Sequence, residues 1–485
     1  MNQAIRRVWI ALVLLFVICF GGLSYIQFFA AEQLAGNSLN KRQLYREFDL
    51  PRGAILVDGK PIAESVPTED GQFTYQRTYN EPEAYAHLTG FYSLANMSTH
   101  LESELNGWLT GNDSDLLFDR LSAMFTGNSS EGASVELTID DRLQQAAFAM
   151  LPDDVMGSII VTEVKTGNIL AMASKPSFDP NDLSVHSTKL ANENLKALTE
   201  VRGLSPYINP AIGNRFNPGS SFKILDLVVG LESGEYDLDT AIANPNEVNI
   251  AGARISNFAE GRCSTRTEAS LRWITANSCN TPFALMTEKL GNTPFEDVAE
   301  RFGFNQQLSI PLSVINSQFP PNMDAGQLAQ GSIGGFDNQA TPLQMNMVAM
   351  GIANGGVIMQ PNLIKKVIAP DLRVIEEPQP KEFSTATTEE IADQVAELMK
   401  EPVQNGTAVR AQVPGVDLRA KTGTANYDVN EEGHGRTVNS WITGFAPGND
   451  PEVAITVALQ RVDYNTHSRV AVDLMKQMTE AVFNQ

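Results

Sequence analysis

Uncharged, largely apolar positions run from 8 to 29, and between 8 and 20 they are almost unbroken. At 1.5 Å per residue, about 20 such residues cross a hydrocarbon core, so a transmembrane helix is expected over 8–29. The pattern then breaks into shorter pieces. Residues 30–136 mix brief strand-like runs, such as 53–57, with helical ones, such as 114–125, while Gly36, Asn37 and Ser38 end the helical pattern next to the anchor. A turn-rich stretch over 127–132 closes this part. Beyond it, 134–139 alternates as a strand, and Asp140 caps a helix reaching 151. Residues 158–164 and 169–173 alternate again across a turn at 165–168, which predicts a β-hairpin with one face buried. Helical periodicity dominates from 220 to 302. Strands return around 420 and at 453–459, and a helix over 470–482 ends the chain. Strands at both ends with helices between them predict an α+β domain: an antiparallel sheet flanked by helices. The expected division is a stub at 1–7, the membrane helix at 8–29, a smaller mixed domain at 30–136 and the larger domain at 137–485.

Charge orients this arrangement. Arg6 and Arg7 precede the apolar stretch and no basic residue follows until Lys41, so the positive-inside bias keeps 1–7 in the cytoplasm and puts the body outside. A cleaved signal peptide is the alternative, since Phe29, Ala30 and Ala31 offer small residues. The apolar stretch exceeds an h-region of roughly 7–15 residues, which favours a retained single-pass anchor. Either way the body is extracytoplasmic.

The 485 residues suffice for two to three domains. With 35 Lys plus Arg against 57 Asp plus Glu, the net charge is -22, and most of this surface would repel a phosphate polyanion; nucleic acid is excluded as a main partner. Three cysteines are too few for a disulfide scaffold or a multi-Cys zinc module. Five scattered histidines lack metal-binding spacing, so neither metal nor cofactor is expected.

Three short motifs carry candidate chemistry: Ser220-Ser221-Phe222-Lys223 (SxxK), Ser278-Cys279-Asn280 (SxN) and Lys421-Thr422-Gly423 (KTG), followed by Thr424. Each alone is weak. Ser38-Leu39-Asn40-Lys41 satisfies the first two patterns by chance, and Lys165-Thr166-Gly167 repeats the third within a predicted hairpin turn. Context separates the copies. Asn217-Pro218-Gly219 is a sharp turn, after which Ser220 is expected to open an apolar, buried helix that stops at Gly234. Ser220 and Lys223, three apart, share a helix face, while Ser221 does not. Desolvation and a neighbouring cation would depress the Lys223 pKa and make it a base for the Ser220 hydroxyl. Ser278 and Asn280 fall between helical runs, where a loop can aim both into a cleft, with Thr281 as cap and Pro282 opening the second helix. Lys421 follows a strand-like lead-in. Gly423 admits a ligand close to the backbone, and Thr422 and Thr424 offer hydroxyl donors for a carboxylate.

Together and in this order, the motifs are those of serine β-lactamases and penicillin-binding proteins. The wider sequence resembles class B penicillin-binding proteins. Arg52-Gly53-Ala54-Ile55, with Gly59 and Ile62 to Ser65, is similar to the start of their pedestal domain. Residues 135–140 and 167–174 resemble the start of their transpeptidase domain, Pro218 to Lys223 their PGSTFK, and Ser332 to Gly335 with Ala340 to Met345 their SIGQG…ATPLQ segment. Gly335 stands where Gln is common, and Cys279 where Asp is common. The short pedestal and absence of C-terminal repeats resemble the compact PbpA-type members.

The resemblance implies a membrane-anchored D,D-transpeptidase acting on peptidoglycan stem peptides and trapped by β-lactam antibiotics. It implies Ser220 as nucleophile, Lys223 as its base, Ser278 and Lys421 as the proton relay to the leaving D-Ala, and Asn280 on the substrate amide. The backbone N–H groups of Ser220 and Thr424 would form an oxyanion hole, Thr422 and Thr424 would bind the terminal carboxylate, and Gly423 would let the substrate lie close to the backbone. It also implies a glycosyltransferase partner of the SEDS type. The alternatives are a D,D-carboxypeptidase, a β-lactamase, with Glu288 or Glu296 to activate water, and a non-catalytic β-lactam sensor or scaffold. Cys19 lies within the anchor. Cys263 and Cys279 are a candidate disulfide, which over about 16 residues would stabilise by roughly 3 kcal/mol; two separate thiols are the alternative.

Overall fold

A computed structural model gives the fold and describes residues 2–29, 45, 47–69, 71–113, 131–257, 261–429, 436–464 and 469–484. The helical run expected over 114–125, the helix end at 36–38 and the stray motif at Ser38 lie outside these residues. Helix α1 (Asn2–Ser24) continues into a π-helical turn, Tyr25–Phe29. Its membrane-length apolar portion, Ile5–Gln27, is bare of protein contact. The helix starts before residue 8, so Arg6 and Arg7 stand on its first turns. Nothing in the 2–7 sequence breaks a helix.

The membrane-distal body begins with strands β1 (Ile55–Val57), β2 (Lys60–Pro67) and β3 (Tyr75–Tyr79), an antiparallel meander. Strand β4 (Ser134–Leu137) then joins β1 in parallel, Ile55 beside Val135. The sheet is completed on the other side of β4 by Ile364–Ile368 and Val374–Glu376, from far along the chain. This six-stranded sheet therefore takes strands from both sides of the 136/137 boundary. Gly53 is required where the chain enters it, since a Cβ there would lie 2.0 Å from the Ala133 carbonyl oxygen. Behind the sheet, Glu102 accepts hydrogen bonds from Arg52 Nε and Arg77 Nε, both at 2.6 Å, and from Tyr79 Oη at 3.2 Å.

Helix α2 (Asp141–Met150), capped by the Asp140 side chain on the Leu143 amide, leads into the hairpin β5 (Met156–Glu163) and β6 (Ile169–Lys175). Lys165 and Gly167 serve the turn between them, with Gly167 at φ +77°. Helices follow: α3 (Lys223–Glu232), α4 (Leu271–Asn277), α5 (Thr281–Leu290), α6 (Asn292–Arg301), α7 (Pro342–Ala353) and α8 (Glu389–Asn405). Strands β7 (Arg419–Val429), β8 (Arg436–Ala446) and β9 (Val453–Asp463) return the chain to the hairpin, and α9 (Val470–Phe483) ends it. The central sheet is antiparallel throughout, in the order β7-β8-β9-β5-β6.

Both faces of this sheet are covered, and the two-residue strand period distributes its side chains between them. Ala454 and Ala458 enter one core with α3 and α7, whereas Val453, Ile455, Val457 and Leu459 enter the other with α2 and α9. The hairpin expected to have one buried face is thus buried on both: Ile160 joins the first core and Ile159 and Val161 the second. Helix α7 is buried along its whole length; it is apolar apart from Gln344 and Asn346, whose side chains are hydrogen-bonded to Phe302, Thr162 and Ala454.

Candidate active site

The chain does not enter the buried helix at Ser220, as expected, but at Lys223. Gly219 adopts φ +54°, and Gly219–Ser221 forms a single 3-10 turn ahead of α3. Ser220 therefore sits in a tight turn on the helix entrance, with Lys223 on the first helical residue. The turn is clamped from two directions. Gly219 N–H donates to the Gly334 carbonyl at 3.1 Å, and a Cβ on Gly334 would fall 2.0 Å from the Gly219 oxygen. A Cβ on Gly423 would fall 2.3 Å from the Pro218 oxygen and 2.9 Å from the Ser221 nitrogen. Glycine at 334 and 423 is thus what lets a loop and strand β7 close on the serine turn.

Trp441, overlooked in the sequence, and Asn217 hold the same turn. Trp441 Nε1 donates to the Asn217 carbonyl at 3.0 Å, and Asn217 Nδ2 donates to the Phe336 and Asn338 carbonyls at 2.8 and 2.7 Å. Phe222 anchors it from below, stacked on Phe319 with 5.2 Å between centroids. Asn217 was legible as a turn residue, but its partners lie over a hundred positions away.

The SxN loop lies between α4 and α5. Ser278 ends α4 in the left-handed conformation, φ +58°, and Asn280, not Thr281, is the cap of α5. Cys263 and Cys279 form a disulfide with 5.5 Å between Cα atoms. Asn257 Oδ1 accepts from the Asn280 and Thr281 amides at 2.7 and 3.3 Å. The loop is thereby fixed by a covalent link and a side-chain network.

All three motifs meet. Lys223 Nζ donates to Asn280 Oδ1 at 2.7 Å, to the Cys279 carbonyl at 2.8 Å and to the Ser278 carbonyl at 3.0 Å. Lys421 Nζ donates to Ser278 Oγ at 2.7 Å and to the Thr422 carbonyl at 3.1 Å. Strand alternation turns Lys421 and Gly423 toward the helices and leaves Thr422 and Thr424 half-exposed on the opposite side. Thr422 Oγ1 shares a hydrogen bond of 2.6 Å with Thr407 Oγ1. Ser220 Oγ has no hydrogen-bond partner among the described residues.

Burial dominates the electrostatics. Both lysines are fully buried. Burial pulls Lys421 down to about 7. Lys223 falls well below an ordinary lysine, first through burial and then through repulsion by Lys421, with Asp226 acting in the opposite sense. A lysine whose burial favours release of its proton, one residue from the SxxK turn and beside a hydroxyl held by a second lysine, suits a base and a proton relay around a nucleophilic serine. Neither glutamate considered for water activation joins them. Glu288 is exposed on α5, and Glu296 is engaged by Asn292 and the Asn322 amide. Among the described residues, no cluster of side chains has the make-up of a metal site.

Comparison with known proteins identifies the family. Residues 157–480 match the Penicillin binding protein transpeptidase domain, and 52–135 match the Penicillin binding protein A dimerisation domain. The peptidoglycan D,D-transpeptidase PbpA of Mycolicibacterium smegmatis is 35% identical over 468 residues, covering 95% of this chain and 94% of that protein. The PbpA of Mycobacterium tuberculosis is 33% identical over 467 residues, with the same coverage. The imipenem acyl-enzyme complex of penicillin-binding protein A from M. tuberculosis superposes with a TM-score of 0.84 at 32% identity, covering 90% of this chain and 99% of that one. With the convergent motifs, these matches establish that the chain belongs to the class B penicillin-binding proteins, among the PbpA-type members.

Proposed function

We propose that the protein is a peptidoglycan D,D-transpeptidase that cross-links stem peptides through an acyl-enzyme on Ser220. The observation that carries this reading is the meeting of Lys223, Ser278, Asn280 and Lys421 around the Ser220 turn through hydrogen bonds of 2.7–3.0 Å. Ser220 Oγ attacks the carbonyl of the D-Ala-D-Ala bond as Lys223 takes its proton. Ser278, oriented by Lys421, passes a proton to the departing D-Ala. Asn280 Nδ2 and Oδ1 hold the stem-peptide amide, after Oδ1 releases Lys223. The amides of Ser220 and Thr424 stabilise the oxyanion, each donor worth roughly 3–4 kcal/mol in well-studied hydrolases. Thr422 and Thr424, on the half-exposed side of β7, bind the terminal carboxylate. An amine from a second stem peptide then takes the acyl group, and β-lactams stop the enzyme by acylating Ser220.

The positions of Glu288 and Glu296 weigh against a water-activating β-lactamase, and the two intact lysines weigh against a silent sensor. The arginine pair before the apolar part of α1 supports a catalytic body on the outer side of the cell membrane. In this reading the chain divides into a pedestal at 30–136 and a transpeptidase domain at 137–485, the pedestal spacing the site from the bilayer beside a SEDS-type glycosyltransferase. That partner is tested by reconstituting cross-linking from lipid-linked precursor with and without the polymerase.

Labelling the full chain in detergent with a fluorescent penicillin tests the site. A stable adduct on the wild type, absent in Ser220→Ala, is expected. Rapid turnover of the adduct would indicate a hydrolase, and no labelling of the folded wild type would overturn the enzymatic reading.

A further inference from the structure

Strand β9 breaks its own alternation near its end. Val453, Ile455, Val457 and Leu459 enter the second core, and the next residue to do so is Val462. The phase slips because β8 and β9 change register there. Val438 pairs with Val462 and Ser440 with Leu459, so Gln460 and Arg461 together oppose the single residue Asn439. This two-against-one arrangement is a β-bulge, which bends a strand and re-aims its side chains. Arg461 sits in it at φ +53°, a left-handed backbone that strains a long side chain and that glycine adopts freely. Buried Asn439 holds the bulge, its Oδ1 accepting from the Arg461 amide at 3.1 Å, while its Nδ2 has no partner among the described residues. A strained arginine fixed by a half-satisfied buried amide weakens the fold locally, and such features gather at functional sites.

Neighbours on a regular strand point to opposite faces, but Gln460 and Arg461 both line one cavity of about 560 Å³. Arg215, on the segment that leads into the serine turn, lines it too, along with the apolar Met156, Ile208 and Ile315. Among the described residues, Arg215 and Arg461 are the only charged groups on its walls, in a protein of net charge -22. Asp153, Asp154 and Asp463 border a neighbouring cavity that shares Arg461. Arg215 Nη1 donates to the Asn316 carbonyl at 3.0 Å, which orients a guanidinium with donors to spare. The cavity adjoins the support of the nucleophile: Phe216, next to Arg215, packs on Trp441 with 4.4 Å between centroids, and Trp441 binds the Asn217 carbonyl.

We propose that this cavity is a subsite for the carboxylates of a second, uncross-linked stem peptide, the one whose amine takes the acyl group from Ser220. The inference rests on the transpeptidase reading. There the terminal carboxylate of the first peptide lies on Thr422 and Thr424, and the acceptor brings carboxylates of its own. Guanidinium forks match carboxylates in shape and charge, and the apolar wall suits the aliphatic parts of a peptide. An acceptor held this way has lost its translational freedom before it reacts. Its amine nitrogen bonds to the acyl carbon, the ester bond to Ser220 Oγ breaks, and the proton given up by the amine returns to Oγ.

The test is binding of a fluorescently labelled tripeptide, L-Ala-γ-D-Glu-L-Lys, to the full chain in detergent, read by anisotropy, with the same peptide amidated at both carboxylates as control. Wild type should bind the free acid roughly tenfold tighter than the diamide, and should still bind it after penicillin has acylated Ser220. Arg461→Gly and Arg215→Gln should each weaken binding roughly tenfold, because charge-assisted hydrogen bonds are lost. Arg461→Gly should leave the unfolding temperature level, since glycine accepts the left-handed backbone. Equal binding of acid and diamide would overturn the proposal, as would wild-type affinity in either variant. Loss of binding on penicillin acylation would put the tripeptide in the groove of the first peptide and overturn it as well. Should Arg461→Gly lose stability, Arg215→Gln, on a separate segment, decides. Failure of the wild type to label with penicillin would overturn the transpeptidase reading, whereas labelling without tripeptide binding would overturn this inference alone.

Discussion

Two places in the molecule bury the same inventory of charge, two cations and one carboxyl, and arrange it in opposite ways. Beneath the six-stranded sheet, Glu102 bridges Arg52 and Arg77, each at 2.6 Å, and Arg52 also lies 4.4 Å from the Tyr92 ring centroid. Burial alone would raise the Glu102 pKa, yet the two guanidiniums hold it below the ordinary range. At the active site, Lys223 and Lys421 are drawn together through the SxN loop, while Asp226 bonds to neither. There burial wins, and both lysines fall toward neutrality. Arginine keeps its proton in any protein environment, whereas lysine yields it when desolvated. The first cluster is therefore a fixed structural tie. The second is a set of groups whose charge the reaction can change.

The contrast is sharpest if an arginine is moved into the reactive cluster. Lys223→Arg keeps the positive charge and removes the capacity to take a proton. Penicillin acylation should fall by about 10²–10⁴-fold, measured by stopped-flow labelling, while circular dichroism remains that of the wild type. Acylation at the wild-type rate would mean that Lys223 is a structural cation like Arg77.

The reverse experiment breaks the structural tie. Glu102→Ala leaves two buried guanidiniums without their carboxylate and should destabilise by about 3–5 kcal/mol, read from urea unfolding. Asp226→Asn in the same assay should lose nothing. Equal losses would erase the distinction between the two clusters.

A smaller effect concerns pH. His87, buried on Pro82–Thr89, and His100, half-buried at the start of His100–Glu104, are both lowered mainly by desolvation, His100 to about 3. The unfolded chain takes up these protons below pH 6.5 and the native one does not, so stability declines as pH falls through that value. The urea midpoint should decrease between pH 7.5 and 5, and His100→Gln should flatten part of that slope. A midpoint that rises on acidification would contradict the burial assigned to these rings.

Local pattern revealed much of this. Alternation located the hairpin of β5 and β6 and the strand β9, and the ordered motifs named Ser220, Lys223, Ser278, Asn280 and Lys421. The errors were of context. The start of α3 was displaced because a glycine at φ +54° makes a 3-10 turn, and propensity does not distinguish that turn from a first helical turn. Nothing in the sequence singles out Asp226, because an acidic residue in the first turn of a helix is favoured by the dipole. Only packing by α5, α6 and α8 makes it a buried carboxyl.

From residue order alone come the anchor, the α+β layout and the chemical types at the three motifs, because these follow from hydrophobic length, strand period and short spacing. Tertiary structure alone decided the rest: that Lys421 meets Ser278 across 143 positions, that Asn217 is held by Trp441, and that one buried carboxyl is bridged while the other stands unbridged. The reason is that proton affinity depends on desolvation and on charges a few ångströms away, and those neighbours come from parts of the chain that sequence distance does not connect.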